Sequence, residues 1–197
     1  MPFSVFLVST ASAVDAPVQS AYALALFLAV GLSGTVAVLA WRRRRAPGAM
    51  PLTCFAWAMV IWALTYAMFW LAPAPDARAF WLNATYLGVV LSAPSFLAFV
   101  LQFQGRGRRL WPRGVALLAV EPALTLLLLW TDPWHGLFFA DKRMPATSAL
   151  FDGGPWFWLN VIYMYGMNIV AIVLLVHTYF LAGSLQRRQI GVILVGG

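Results

Sequence analysis

The sequence predicts an all-α protein: a polytopic transmembrane helix bundle with five full spans, the start of a sixth, and its N-terminus outside. Three observations lead there. Of the 197 residues, 62% are hydrophobic and only 10% charged, with a mean hydropathy of +0.82. A soluble domain carries about a quarter charged residues, so lipid must cover part of this apolar surface. The apolar residues are also gathered into runs of spanning length, and the runs stop at arginine clusters or proline-rich turns.

Crossing the hydrocarbon takes about 20 helical residues. The first run, about 21–41, ends at Arg42-Arg43-Arg44-Arg45. A second, about 52–71, ends in Ala72-Pro73-Ala74-Pro75-Asp76, where prolines interrupt the helix. The third, about 79–103, stops before Gly105-Arg106-Gly107-Arg108-Arg109. The fourth, about 114–130, leads into a polar stretch in which Asp132-Pro133 is expected to turn the chain out of the helix. A fifth run, about 156–182, precedes Gln186-Arg187-Arg188-Gln189, and a sixth opens at 190–197. That last stretch is too short to span, so the chain is expected to be truncated within its bundle. Residues 1–20 read as a short external leader. Ser9-Thr10-Ala11-Ser12-Ala13 resembles a cleavage site, but no positive segment precedes it.

Orientation follows from lysine and arginine, which favour the cytosolic side. Arg42 to Arg45, Arg106, Arg108, Arg109, Arg113, Arg187 and Arg188 fall on one side; only Arg78, Lys142 and Arg143 fall on the other. Helices one, three and five therefore end in the cytosol. The net charge of +7 comes from these stops, so no nucleic-acid partner is expected; the partner is the lipid bilayer. The lone Cys54 cannot form a disulfide within the chain. His135 and His177 belong near opposite faces, and Lys142 lies in a loop rather than in the bundle. No metal centre and no cofactor are expected, and no phosphate loop, nucleophile elbow or catalytic constellation is present.

Glu121 is the single acid inside a span, where carboxylates are costly and call for a functional hypothesis. Pro122 follows it and deprives the Leu118 carbonyl of its helical donor. The carboxyl either forms the floor of a pocket or, protonated, ties two helices together. Asn83 and Tyr86 share a face of helix three, and Pro94 frees the Val90 carbonyl. Asn160, Met164 and Asn168 form a stripe on helix five, with Tyr163 and Met167 beside them. Such stripes face the bundle interior, as cavity lining or as helix-to-helix ties. His135 is a candidate ligand contact or an interfacial cap bonded to the backbone.

The segments resemble a known family. Trp81-Leu82-Asn83-Ala84-Thr85-Tyr86-Leu87-Gly88, Ala93-Pro94, Glu121-Pro122-Ala123-Leu124-Thr125 and Thr131-Asp132-Pro133-Trp134-His135-Gly136-Leu137-Phe138-Phe139 occur in the order found there, as do Gly154-Pro155-Trp156-Phe157-Trp158 and Arg187-Arg188-Gln189. Together they resemble the seven-transmembrane sensor region at the N-terminus of bacterial histidine kinases. Asp132 stands where that family usually has Asn, and Glu121 stands where an apolar residue is typical. The resemblance implies two further helices, a cytosolic output module such as a kinase, dimerisation through cytosolic parts, and no catalysis by this chain itself.

The expected function is membrane signal input in two-component signalling, in the inner membrane of a bacterium. A small-molecule or membrane-dissolved signal would bind among Asn83, Tyr86, Glu121, His135, Asn160 and Tyr163 in the outer halves of helices three to five. The alternative is a transporter or channel subunit that uses Glu121, although no internal inverted repeat is evident.

Overall fold

The computed structural model describes residues 3–105, 113–139 and 153–181. The expected sixth helix at 190–197, most of the second arginine cluster, and Lys142 and Arg143 lie outside the described residues. Five helices follow one another: α1 (Phe3–Arg42), α2 (Ala49–Leu71), α3 (Pro75–Phe103), α4 (Arg113–His135) and α5 (Pro155–Leu181). Each contains a stretch long and apolar enough to cross a membrane. In α1 that stretch is Gln19–Arg42, and the helix continues back to Phe3 through the segment read as a leader. Helix α2 starts at Ala49 rather than about 52, and two further boundaries differ from expectation. Helix α3 starts at Pro75 rather than 79, because proline suits the first helical position and Asp76 complements the helix dipole in the first turn. Helix α4 passes through Asp132-Pro133 and ends at His135, so Pro133 is carried in its last turn instead of turning the chain out.

Among the described residues α3 is the hub, packing against α2, α4 and α5, while α1 packs against α2 alone. Lipid tails are as apolar as leucine, so helices in a membrane associate through close backbone approach or through hydrogen bonds. The α1–α2–α3 layer uses the first route. Its buried residues are mostly alanines, among them Ala37, Ala56, Ala58, Ala63, Ala67 and Ala84. At Gly88 even a Cβ would run into the backbone of Ala58 and Trp62, so glycine sets how closely α2 and α3 approach. Large apolar side chains such as Leu32, Leu117 and Ile162 point outward, as lipid contact requires.

Two apolar clusters lie at opposite ends of α3 and α5. Leu97, Val100, Ala171 and Leu175 form one, with Phe99, Phe103 and Met167 against it. Leu129, Phe138 and Phe157 form the other, with Tyr86 and Trp156 alongside. The first end is also tied by glutamines: Gln104 Nε2 donates to the Leu174 carbonyl, and Gln102 Oε1 accepts from the Gly48 N–H of the α1–α2 turn.

Candidate functional site

Between α4 and α5 the second route to helix association takes over. Glu121 is buried, and its Oε1 accepts from Thr125 Oγ1 one helical turn on and from Asn160 Nδ2 of α5, both at 2.7 Å. Thr125, fully buried, accepts in turn from Trp156 Nε1 at 2.9 Å. Four side chains thus form one network across two helices. Glu121 Oε2 is buried without a hydrogen-bond partner among the described residues. An unpaired buried polar atom carries a desolvation penalty of about 1–3 kcal/mol, so this oxygen is the place in the network where a further donor would gain most.

One turn before the carboxyl, the carbonyl that Pro122 frees finds a donor on the neighbouring helix. The Leu118 carbonyl, which has no N–H from residue 122, accepts from Tyr163 Oη of α5 at 2.9 Å. The proline thereby converts a bond within one helix into a bond between two.

Above the network, α4 ends in a structured turn. Gly136, at φ 62°, takes the left-handed conformation that closes many helices, and its N–H returns to the Asp132 carbonyl at 2.8 Å. The Asp132 carboxylate then accepts from the N–H groups of Phe138 at 2.7 Å and Phe139 at 3.3 Å. Phe139 pairs with Gly153 in an antiparallel bridge, and the Gly154 and Trp156 N–H groups donate to the carbonyls of Phe138 and Leu137. The turn is therefore pinned to the start of α5 and drives Phe138 into the bundle, where it is fully buried. There it meets Tyr86 edge-on, with centroids 5.1 Å apart, and Phe157 in the same manner.

Of the six candidate residues, Glu121, Asn160 and Tyr163 converge on the α4–α5 seam, and Tyr86 belongs to the aromatic layer capping it. Asn83 is half-buried one turn from Tyr86 and takes no part in the network. His135 lies apart, at the exposed end of α4. Its Nδ1 accepts from the Leu137 N–H at 3.1 Å, and its Nε2 is 2.9 Å from Thr131 Oγ1, whose own hydrogen goes to the Leu127 carbonyl. That pattern suits a neutral imidazole carrying its proton on Nε2 and acting as a cap. In the helix-five stripe, Asn160 and Met164 are buried, while Asn168 bonds back to its own helix at the Met164 carbonyl.

Sequence reasoning passed over Thr125, Trp156 and Phe138. The spacing of Glu121 and Thr125 was the available signal for one of them, since residues four apart meet on a helix. Trp156 gave no such signal, because its partner lies 31 positions away in sequence. Among the described residues no three metal-ligating side chains come together.

The family described as the N-terminal 7TM region of histidine kinase matches residues 25–197. The chain belongs to that family. It is accordingly a multi-pass membrane protein and the sensor region of such kinases, which is not the catalytic part. No curated protein and no solved structure matches the chain.

Proposed function

We infer that this 7TM region receives a signal at the α4–α5 seam and passes it inward as a change in helix packing. The observation that carries this reading is the buried Glu121 carboxyl, bridged to Asn160 through one oxygen while the other has no partner among the described residues. Three side-chain bonds of 2.9 Å or less cross the seam, Glu121–Asn160, Thr125–Trp156 and Leu118–Tyr163, beside a longer one of 3.5 Å from Asn160 to Thr125. Hydrogen bonds between membrane helices average about 0.6 kcal/mol, so together they hold about 2 kcal/mol. A signal molecule that prefers one packing by about thirtyfold would offset that amount. The seam is therefore strong enough to define a resting state and weak enough to be switched. The signal is a small-molecule or membrane-dissolved compound with a hydrogen-bond donor for that second carboxyl oxygen. With helices one, three and five ending in the cytosol, the seam lies across the middle of the membrane, and the proposed output runs into the cytosol of a bacterium from its inner membrane. There a histidine kinase module, working as a homodimer through its cytosolic parts, reads the change.

The test is autophosphorylation of the full-length protein in vesicles. Glu121→Gln and Asn160→Leu should each shift basal kinase output while leaving protein levels and ATP binding unchanged. Unaltered output in both variants would remove the seam from the signalling path. A proton flux that Glu121→Gln abolishes would favour transport instead.

A further inference from the structure

Helices α2 and α4 both pack on α3 but make no contact with each other among the described residues. The space between them is a partly open groove of about 180 Å³. Met50, Pro51 and Cys54 of α2 form one wall, Leu118 and Ala119 of α4 the other, and Pro94 of α3 lies in the floor. Its lining is almost wholly apolar. A cavity of about 150 Å³ holds a benzene, so this groove takes a run of roughly six aliphatic carbons.

The depth of the groove follows from the helix rise of 1.5 Å per residue. Met50 to Cys54 lie in the first turns of α2, and Leu118 and Ala119 are about 8–9 Å from the start of α4 at Arg113. Both starts are cytosolic under the arginine-based orientation, on which this placement rests. The groove therefore opens into the hydrocarbon of the inner leaflet. At its mouth is the α1–α2 turn, where Arg42, Arg43, Arg44 and Arg45 are all exposed. No carboxylate among the described residues pairs with any of them. Arg44 lies over the Trp41 ring, 5.0 Å from its centroid. The turn is held to α3 by the Gly48–Gln102 bond, and its backbone is closed by hydrogen bonds from Ala46 to Arg43 and from Ala49 to Ala46. A cluster of four cations without a carboxylate partner among the described residues thus sits five to eight residues ahead of an apolar slot.

We propose that this groove is a specific site for an anionic phospholipid of the inner leaflet, with one acyl chain between α2 and α4 and the phosphate on the Arg43–Arg45 turn. Apolar chain and anionic headgroup match the two parts of the site in the order in which a bilayer presents them. A bound chain would hold α4 away from α2 next to the α4–α5 seam, since Leu118 lines the groove and its carbonyl accepts from Tyr163.

Cys54, exposed in the groove wall, supplies a probe that leaves the site unaltered. The intact protein in neutral detergent is treated with N-ethylmaleimide in the presence of dioleoyl phosphatidylglycerol or dioleoyl phosphatidylcholine, and alkylation is read at the Cys54 peptide by mass spectrometry. Phosphatidylglycerol should slow alkylation several-fold at concentrations where phosphatidylcholine does not. Each arginine near an anionic headgroup contributes about a fivefold preference, so replacing Arg43→Gln and Arg45→Gln together should raise the half-protecting concentration more than about tenfold. Ala119→Phe, which fills the groove, should make the rate insensitive to either lipid while leaving the arginine turn intact. Equal protection by both lipids would overturn the headgroup assignment. Absence of protection by either would overturn the site.

Discussion

The two halves of this bundle are held by different physics. Between α1, α2 and α3 the contact is backbone against backbone, made possible by alanines and by Gly88. Between α4 and α5 the helices touch little and are joined by Glu121–Asn160, Thr125–Trp156 and Leu118–Tyr163. Close apolar packing is short-ranged and non-directional, and it offers nothing that a polar signal can compete for. Hydrogen bonds are directional, and another donor can replace one. A membrane protein that must be both stable and responsive can place these two modes side by side, sharing α3 as the common wall.

The comparison breaks most readily at Gly88. Gly88→Leu should force α2 from α3 and lower the thermal midpoint by the largest margin of any change considered, with a penalty of about 3 kcal/mol or more. If the variant purified with unchanged stability, close approach would not be what holds this half. In the other half, Asp132→Ala removes the acceptor of two backbone N–H groups and should cost about 1.5–3 kcal/mol, read by thermal unfolding in detergent. Asp132→Asn keeps one acceptor oxygen and should recover most of that loss.

A smaller and sharper effect is expected at Tyr163. Tyr163→Phe leaves the Leu118 carbonyl without its donor and should cost about 1 kcal/mol. In a Pro122→Ala background the helix supplies its own N–H, so the same change should then be nearly neutral. Additive effects in this cycle would show that proline and tyrosine are not coupled. The smallest stability change belongs to Asn160→Ala, about 0.6 kcal/mol, although signalling output should respond more strongly than the melting temperature.

Much of this was legible in advance for a definite reason. A carboxylate within an apolar run is anomalous whatever surrounds it, so Glu121 stood out, and the Leu118 carbonyl followed from proline chemistry alone. Asn160 and Tyr163 were marked by helical spacing. Partnership was not legible: that Asn160 reaches Glu121, or Trp156 reaches Thr125, depends on the rotation of two helices about their axes. His135 shows the converse. Its residue type left a ligand contact and an interfacial cap both open, and the structure sets its two ring nitrogens against Thr131 and the Leu137 N–H at the end of α4.

By itself the sequence determined that the chain lives in a bilayer, where its spans lie, and which carbonyls its prolines free. Those are consequences of solvation and covalent geometry, which act on each segment alone. Only the tertiary structure decided which helices touch, that Phe138 packs between Tyr86 and Phe157, and that one Glu121 oxygen is paired while the other has no partner among the described residues. These depend on helix rotation and approach, which are set by the sum of many weak contacts between segments far apart in the chain.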